Sequence, residues 1–254
     1  MGYLQTWHRR RVLKRSRLPE DRWQAVLADL PLLRGLNAGE LQQLQALSTL
    51  FLHEKTLTAA GGLELDETMS LSIAVQACLP ILKLGLDYYD GWTSVILYPE
   101  GFWSPHRSFD AAGVLHTGYQ ARVGEAWDRG PIVLSWADVR QAFSGQGFNV
   151  VIHECAHKLD LLNGVANGMP PLHPGMAVAA WTQAFSAAYE NLRQCLELGW
   201  ETAIHPYAEE SPAEFFAVVS EAFFEIPTVL QATYPAVYEQ LCAFYRQNPA
   251  LRLP

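Results

Sequence analysis

The stretch FNVVIHECAHKLDLLNG, residues 148–164, sets His153 and His157 four positions apart, with Glu154 directly after the first. On a helix, positions i and i+4 share a face, so both imidazoles can reach one ion. This is the H-E-x-x-H pattern, in which two histidines hold Zn2+ and the glutamate takes a proton from the attacking water. Zinc lowers the pKa of a bound water toward about 7, which makes a nucleophile at neutral pH. The spacing predicts a helix over 150–163, with Asn149 as N-cap and Gly164 as its stop. Asp160 falls on the same strip as His153 and His157 and is a candidate to orient a ligand histidine. Val151, Ile152, Cys155, Ala156, Leu159 and Leu162 fill the opposite arc, which turns Cys155 away from the strip.

A catalytic zinc takes three protein ligands and keeps one position open. No third histidine follows at the spacing of the extended H-E-x-x-H-x-x-G-x-x-H pattern, so the remaining ligand must come from elsewhere. His173, His205 and the glutamates of SPAEFFAVVSEAFFE, residues 211–225, are the candidates. In that segment Ser211 is the expected N-cap and Pro212 the first helical residue. Glu214, Glu221 and Glu225 then align to within about 20° on one face. Seven residues rise about 10.5 Å, so only one of Glu214 and Glu221 can join a given ion. Glu214 is also placed to close a capping box with Ser211. Spacing leaves Glu214 and Glu221 as equal candidates. A purely structural zinc fits less well, because such sites close with four protein ligands, often cysteines, and would leave Glu154 without a role.

These residues need elements to hold them. Residues 19–33, 37–56 and 66–85 carry helical spacing of apolar positions, with Asn37 and Asp66 as N-caps and Pro80 as a kink or break in the third. The middle of the chain changes character. Residues 92–99, 113–123 and 130–139 are short, rich in β-branched or aromatic residues and bounded by Gly and Pro, and they read as strands. SGQG, residues 144–147, is a turn. Helices return from Asn149: 150–163, 176–196, 211–227 and 234–247. Between the first two, GMPPLHPG (168–175) is an ordered loop or a lid. The order predicts an α+β fold, mainly helical, with a small mixed sheet next to the H-E-x-x-H helix. We expect one domain over 1–254: a basic arm over 1–23, a helical part over 19–90 and a catalytic core over 91–254. A middle strand, 113–123, is expected to run past the metal and take a peptide by strand addition.

Half of the 254 residues are hydrophobic and 17% are charged, a globular composition. The net charge of −8 argues against direct nucleic-acid binding, which needs cations to replace phosphate counterions. Seven of the 18 basic residues lie in the first 23 positions, where a solvated or loose terminus is the simplest expectation. No apolar run is long enough to span a membrane, and the basic arm is not followed by the apolar stretch of a signal peptide. The four cysteines, Cys78, Cys155, Cys195 and Cys242, form no CxxC pair, which suits a reduced, cytoplasmic protein.

HECAHKLDLLNG and YAEESPAEFFAVVSEAFF, together with GGLELDETM, YYDGWTSVILYP and GPIVLSW, resemble the Mlc titration factor A family. These are bacterial zinc metallopeptidases whose catalytic core is related to anthrax lethal factor. The resemblance covers nearly the whole chain. It implies a zincin-like fold, one Zn2+ per chain, and Glu214 rather than Glu221 as third ligand beside His153 and His157. It implies Tyr207 as a catalytic tyrosine alongside Glu154, the general base. It further implies a cytoplasmic, aminopeptidase-type enzyme acting on peptides, and a protein partner, the Mlc repressor. A non-catalytic regulator that sequesters such a repressor is the alternative function.

Overall fold

A computed structural model describes residues 3–16, 18–100, 102–109, 115–122, 124–126 and 130–252. Arg17 of the basic arm and both ends of the expected 113–123 strand lie outside them. The architecture is mostly helical with a small sheet, as α+β requires. In chain order come α1 (Tyr3–Arg15), α2 (Glu20–Asp29), α3 (Ala38–Glu54), β1 (Thr56–Ala59), α4 (Glu67–Cys78) and β2 (Ser94–Tyr98). Next are β3 (Phe102–Phe109), β4 (Leu115–Arg122), β5 (Gly124–Ala126), β6 (Ile132–Ser135) and α5 (Trp136–Val139). The chain ends in α6 (Val150–Asp160), α7 (Val178–Glu197), α8 (Pro212–Glu225), α9 (Pro227–Thr233) and α10 (Pro235–Tyr245).

β1, β2 and β6 run parallel, and β5 joins the outer side of β6 antiparallel. The sheet is therefore mixed. Val95 pairs with Ile132 and Leu97 with Leu134, and all four side chains are buried. Period-two alternation puts them on one face. α6 packs on β5 and β6 on one side and on α4 and α8 on others. The expected neighbour of the metal helix, 113–123, is placed differently. Its described part, β4, pairs antiparallel with β3 in a separate two-stranded sheet. β5, too short to stand out by residue type, is the edge strand that packs on α6.

Caps explain where the site helices begin. Asn37 and Glu40 form the full reciprocal capping box of α3. The Asp66 side chain accepts from Met69 N–H at α4, and Asn149 accepts from Ile152 N–H at α6. α4 stops two residues before Pro80, which lacks the N–H that continuation would need. α6 runs as expected and tightens into a 3-10 turn over Leu161–Asn163, ended by Gly164 at φ 88°.

The basic arm is not a loose end. Its described part is helix α1, seated on the body by buried Val12 and by Arg9. The Arg9 guanidinium meets Glu54 at 2.7 Å and Asp87 at 2.5 Å. The core runs continuously from Val12 to Tyr245 and includes a cluster of aromatic rings where α7, α8 and α10 meet, with Trp181, Phe185, Phe216 and Phe244 among them. Among the described residues no helix is long and apolar enough to cross a membrane.

Candidate metal centre

α6 and α8 pack side by side, and their facing sides carry the chemistry. His153, His157 and Glu214 bring one ligand atom each into a group lying within 4.8 Å of one another. His153 Nε2 stands 3.2 Å from His157 Nε2 and 3.0 Å from Glu214 Oε2, and His157 Nε2 stands 3.3 Å from the same oxygen. Ligands at zinc bond lengths in a tetrahedron sit about 3.3–3.4 Å apart. The three donors therefore already stand close to the spacing that one zinc ion imposes. A His–His–Glu set also suits zinc chemically. The three side chains are 12%, 13% and 21% exposed, so the group can be reached from solvent.

Glu214 could have been spent on its helix start. Ser211 Oγ accepts the Glu214 backbone N–H at 3.1 Å, which caps α8. The reciprocal half of a capping box is not made, because the Glu214 carboxylate turns to the two histidines instead. Glu221, two turns on, goes to the other side of the same ring. Its Oε1 lies 2.7 Å from His153 Nδ1, and its Oε2 accepts from Asn149 N–H at 2.5 Å. Spacing alone makes Glu221 a rival ligand, but the structure gives it a different role. A rise of about 10.5 Å along the helix carries it past the ring to Nδ1.

The other candidates fall outside the cluster. His173 Nε2 bonds Phe244 O at 2.7 Å, its Nδ1 lies 3.3 Å from Tyr88 OH, and its ring stacks on Phe244. It ties the 168–175 loop to the body. His205 Nδ1 accepts Tyr207 N–H at 3.2 Å and caps the short 3-10 turn Pro206–Glu209. That turn carries Tyr207, whose ring centre is 6.1 Å from that of His153 and whose side is open to solvent.

Asp160 is fully buried but hydrogen-bonds to neither histidine. Its Oδ2 accepts Gly168 N–H at 2.8 Å, and Trp181 Nε1 donates to Gly168 O at 3.1 Å. Gly168 has φ 77°, and a Cβ there would stand 2.3 Å from Pro212 O. Only glycine lets the loop approach the start of α8 this closely. Asp160 thus acts as a tie between the end of α6 and the α8 N-terminus, not as a direct partner of a ligand ring.

The electrostatics follow from burial and crowding. Burial pushes the Glu154 carboxyl up, with the neighbouring histidines pulling the other way, and its Oε2 has no hydrogen-bond partner among the described residues. Burial would lower His153, but the charges and hydrogen bonds of Glu221 and Glu214 hold it well above the usual histidine value. Glu214 shows the complement: burial raises it, and the hydrogen bonds from His153 and His157 outweigh that and hold it well below the carboxylate range.

Deeper in, burial pushes Glu225 up from 4.5 to about 7, the Asn149 hydrogen bond opposes this, and the Glu221 charge adds to it. An acid raised in the folded state gives stability that is full below 4.5 and is lost as pH climbs to about 7. Glu225→Gln keeps an acceptor for Asn149 and removes that loss. It is expected to be more stable than the parent at pH 8 by up to about 3 kcal/mol, with the gap closing toward pH 4.5. Denaturant unfolding of both proteins across that range checks it; a gap that does not change with pH contradicts it.

A sequence model of the family described as "Glucose-regulated metallo-peptidase M90" matches residues 4–246. Two relatives named "Mlc titration factor A", from Escherichia fergusonii and Cronobacter sakazakii, are each 42% identical over 233 residues, covering 91% of this chain and 88% of theirs. A third of that name, from Salmonella arizonae, is 42% identical over the same length and covered over 92% of its own.

Proposed function

The chain belongs to the glucose-regulated metallo-peptidase M90 family, and from that premise we propose that it is a zincin-like, zinc-dependent peptidase of aminopeptidase type. The observation that carries this reading is the His153–His157–Glu214 triangle, with donor separations of 3.0 to 3.3 Å beside buried Glu154. His153, His157 and Glu214 would hold one zinc ion. Bound there, zinc would supply Lewis acidity to the scissile carbonyl and lower the pKa of a water.

The chain's own groups do the rest. Glu154 takes a proton from the attacking water and passes it to the leaving amine. A carboxylate suits this role when it sits in a dry pocket with an unpaired oxygen, because neither hydration nor a fixed partner holds its charge. Tyr207 donates a hydrogen bond to the oxyanion as it develops. The 3-10 turn that carries it is held by His205 and by Tyr189 OH on Glu209 O at 2.7 Å, which supports a defined position for the ring. The peptide adds to β5, whose outer edge pairs with no other strand among the described residues. Asp160 contributes by fixing the loop over the start of α8.

Tyr207→Phe removes the hydroxyl alone. Its kcat is expected to fall by about 10²–10³-fold with zinc content unchanged. Unchanged turnover would remove Tyr207 from the mechanism. The aminopeptidase assignment is tested by cleavage of an unblocked peptide against its N-blocked form. Equal rates would make the enzyme an endopeptidase.

The name these relatives share favours a second role, titration of the Mlc repressor. We place the protein in the cytoplasm, a reading supported by four unpaired cysteines. Binding to that repressor by Glu154→Gln, measured by pull-down, separates the roles. Full binding without cleavage means sequestration is independent of catalysis; lost binding means the partner is read through the active site.

A further inference from the structure

We infer that Glu221 is a positioning residue that fixes the tautomer and orientation of His153 for the metal, an inference that rests on the metal reading above.

Glu221 is 3% exposed and sits on α8 two turns beyond Glu214. The two carboxylates grip opposite nitrogens of one ring: Glu214 Oε2 is 3.0 Å from His153 Nε2, and Glu221 Oε1 is 2.7 Å from Nδ1. The second Glu221 oxygen is occupied by Asn149 N–H at 2.5 Å, a backbone donor at the helix start that has no acceptor within α6. Asn149 is itself fixed, its Oδ1 by Ile152 N–H at 3.0 Å and its Nδ2 by Glu225 Oε1 at 2.8 Å. An ionised carboxylate only accepts. With Asn149 N–H on one oxygen, the other leaves Nδ1 no choice but to carry the proton. Nε2, which faces Glu214 Oε2 and His157 Nε2, is then the nitrogen left to bind the metal. Asp160, on the same strip as His157, gives Oδ2 to Gly168 N–H, and its Oδ1 has no hydrogen-bond partner among the described residues. His153 is thus the ligand set in place before the ion arrives, and Glu221 sets it.

Glutamine at 221 has the same shape but offers one acceptor where two donors converge. Either Asn149 N–H or His153 Nδ1 then faces an amide NH2, and the ring is pushed toward the tautomer with the proton on Nε2. Glu221→Gln is expected to bind zinc about 10–100-fold more weakly than the parent in a chelator competition, with Glu221→Asp recovering part of the loss. A residue that only held α8 to α6 would lower thermal stability and leave zinc affinity alone, so unchanged affinity in a folded Glu221→Gln overturns the inference. Should that variant not fold, the zinc-loaded parent decides. The ring ¹⁵N shifts of His153 are expected to show Nδ1 protonated and Nε2 bound to metal, and the reverse overturns the inference. A parent that takes up no zinc overturns the metal reading, and this inference with it.

Discussion

Glu154→Gln is expected to hold zinc as tightly as the parent and to lose peptide hydrolysis by about 10²–10⁴-fold. The side chain is buried on α6, between the two histidines in sequence, and is not among the three donors of the cluster. Removing its charge therefore leaves the metal ligands untouched. What disappears is the buried carboxylate next to His153, with an oxygen that lacks a described partner and can accept a proton. Glutamine matches its volume, so the packing around this buried position is preserved. The checks are metal content and single-turnover cleavage on the same sample. Full hydrolysis with zinc bound would mean that the proton goes elsewhere, and the mechanism would fall.

The second large effect is on metal binding itself. Glu214→Ala is expected to weaken zinc by more than the roughly 10–100-fold typical of an outer partner. The fold should survive, because the bond from the residue-214 backbone N–H to Ser211 Oγ needs no side chain. Only the oxygen lying 3.0 Å and 3.3 Å from the two Nε2 atoms is lost. Calorimetric titration of the metal-free variant reads this directly. Zinc bound as tightly as in the parent would move the third-ligand role to another residue.

Much of this is legible in the chain, and the rest is hidden for physical reasons. α6 is readable because its caps, Asn149 and Gly164, and its apolar back fix both ends and the face. The choice between Glu214 and Glu221 is not readable from spacing, since two turns of helix return to the same face. Distance along the axis separates them, and only packing of α8 against α6 says which carboxylate meets which ring nitrogen. Asp160 shares the histidine strip, yet a loop glycine eight residues later takes its oxygen. That contact depends on Gly168 nestling against Pro212, which no local pattern announces. The basic arm misleads for a similar reason: Arg9 looks like its neighbours in sequence, but Glu54 and Asp87 meet it from distant elements. β5 escapes notice because three residues carry too little alternation to register as a strand.

The most direct measurement is peptide cleavage by chelator-treated protein, before and after addition of Zn2+. No cleavage of an unblocked peptide is expected before addition, with recovery on binding one equivalent and no recovery in Glu214→Ala at that zinc level. Cleavage that persists without metal, or that zinc fails to restore in the folded parent, would contradict a zinc-dependent mechanism.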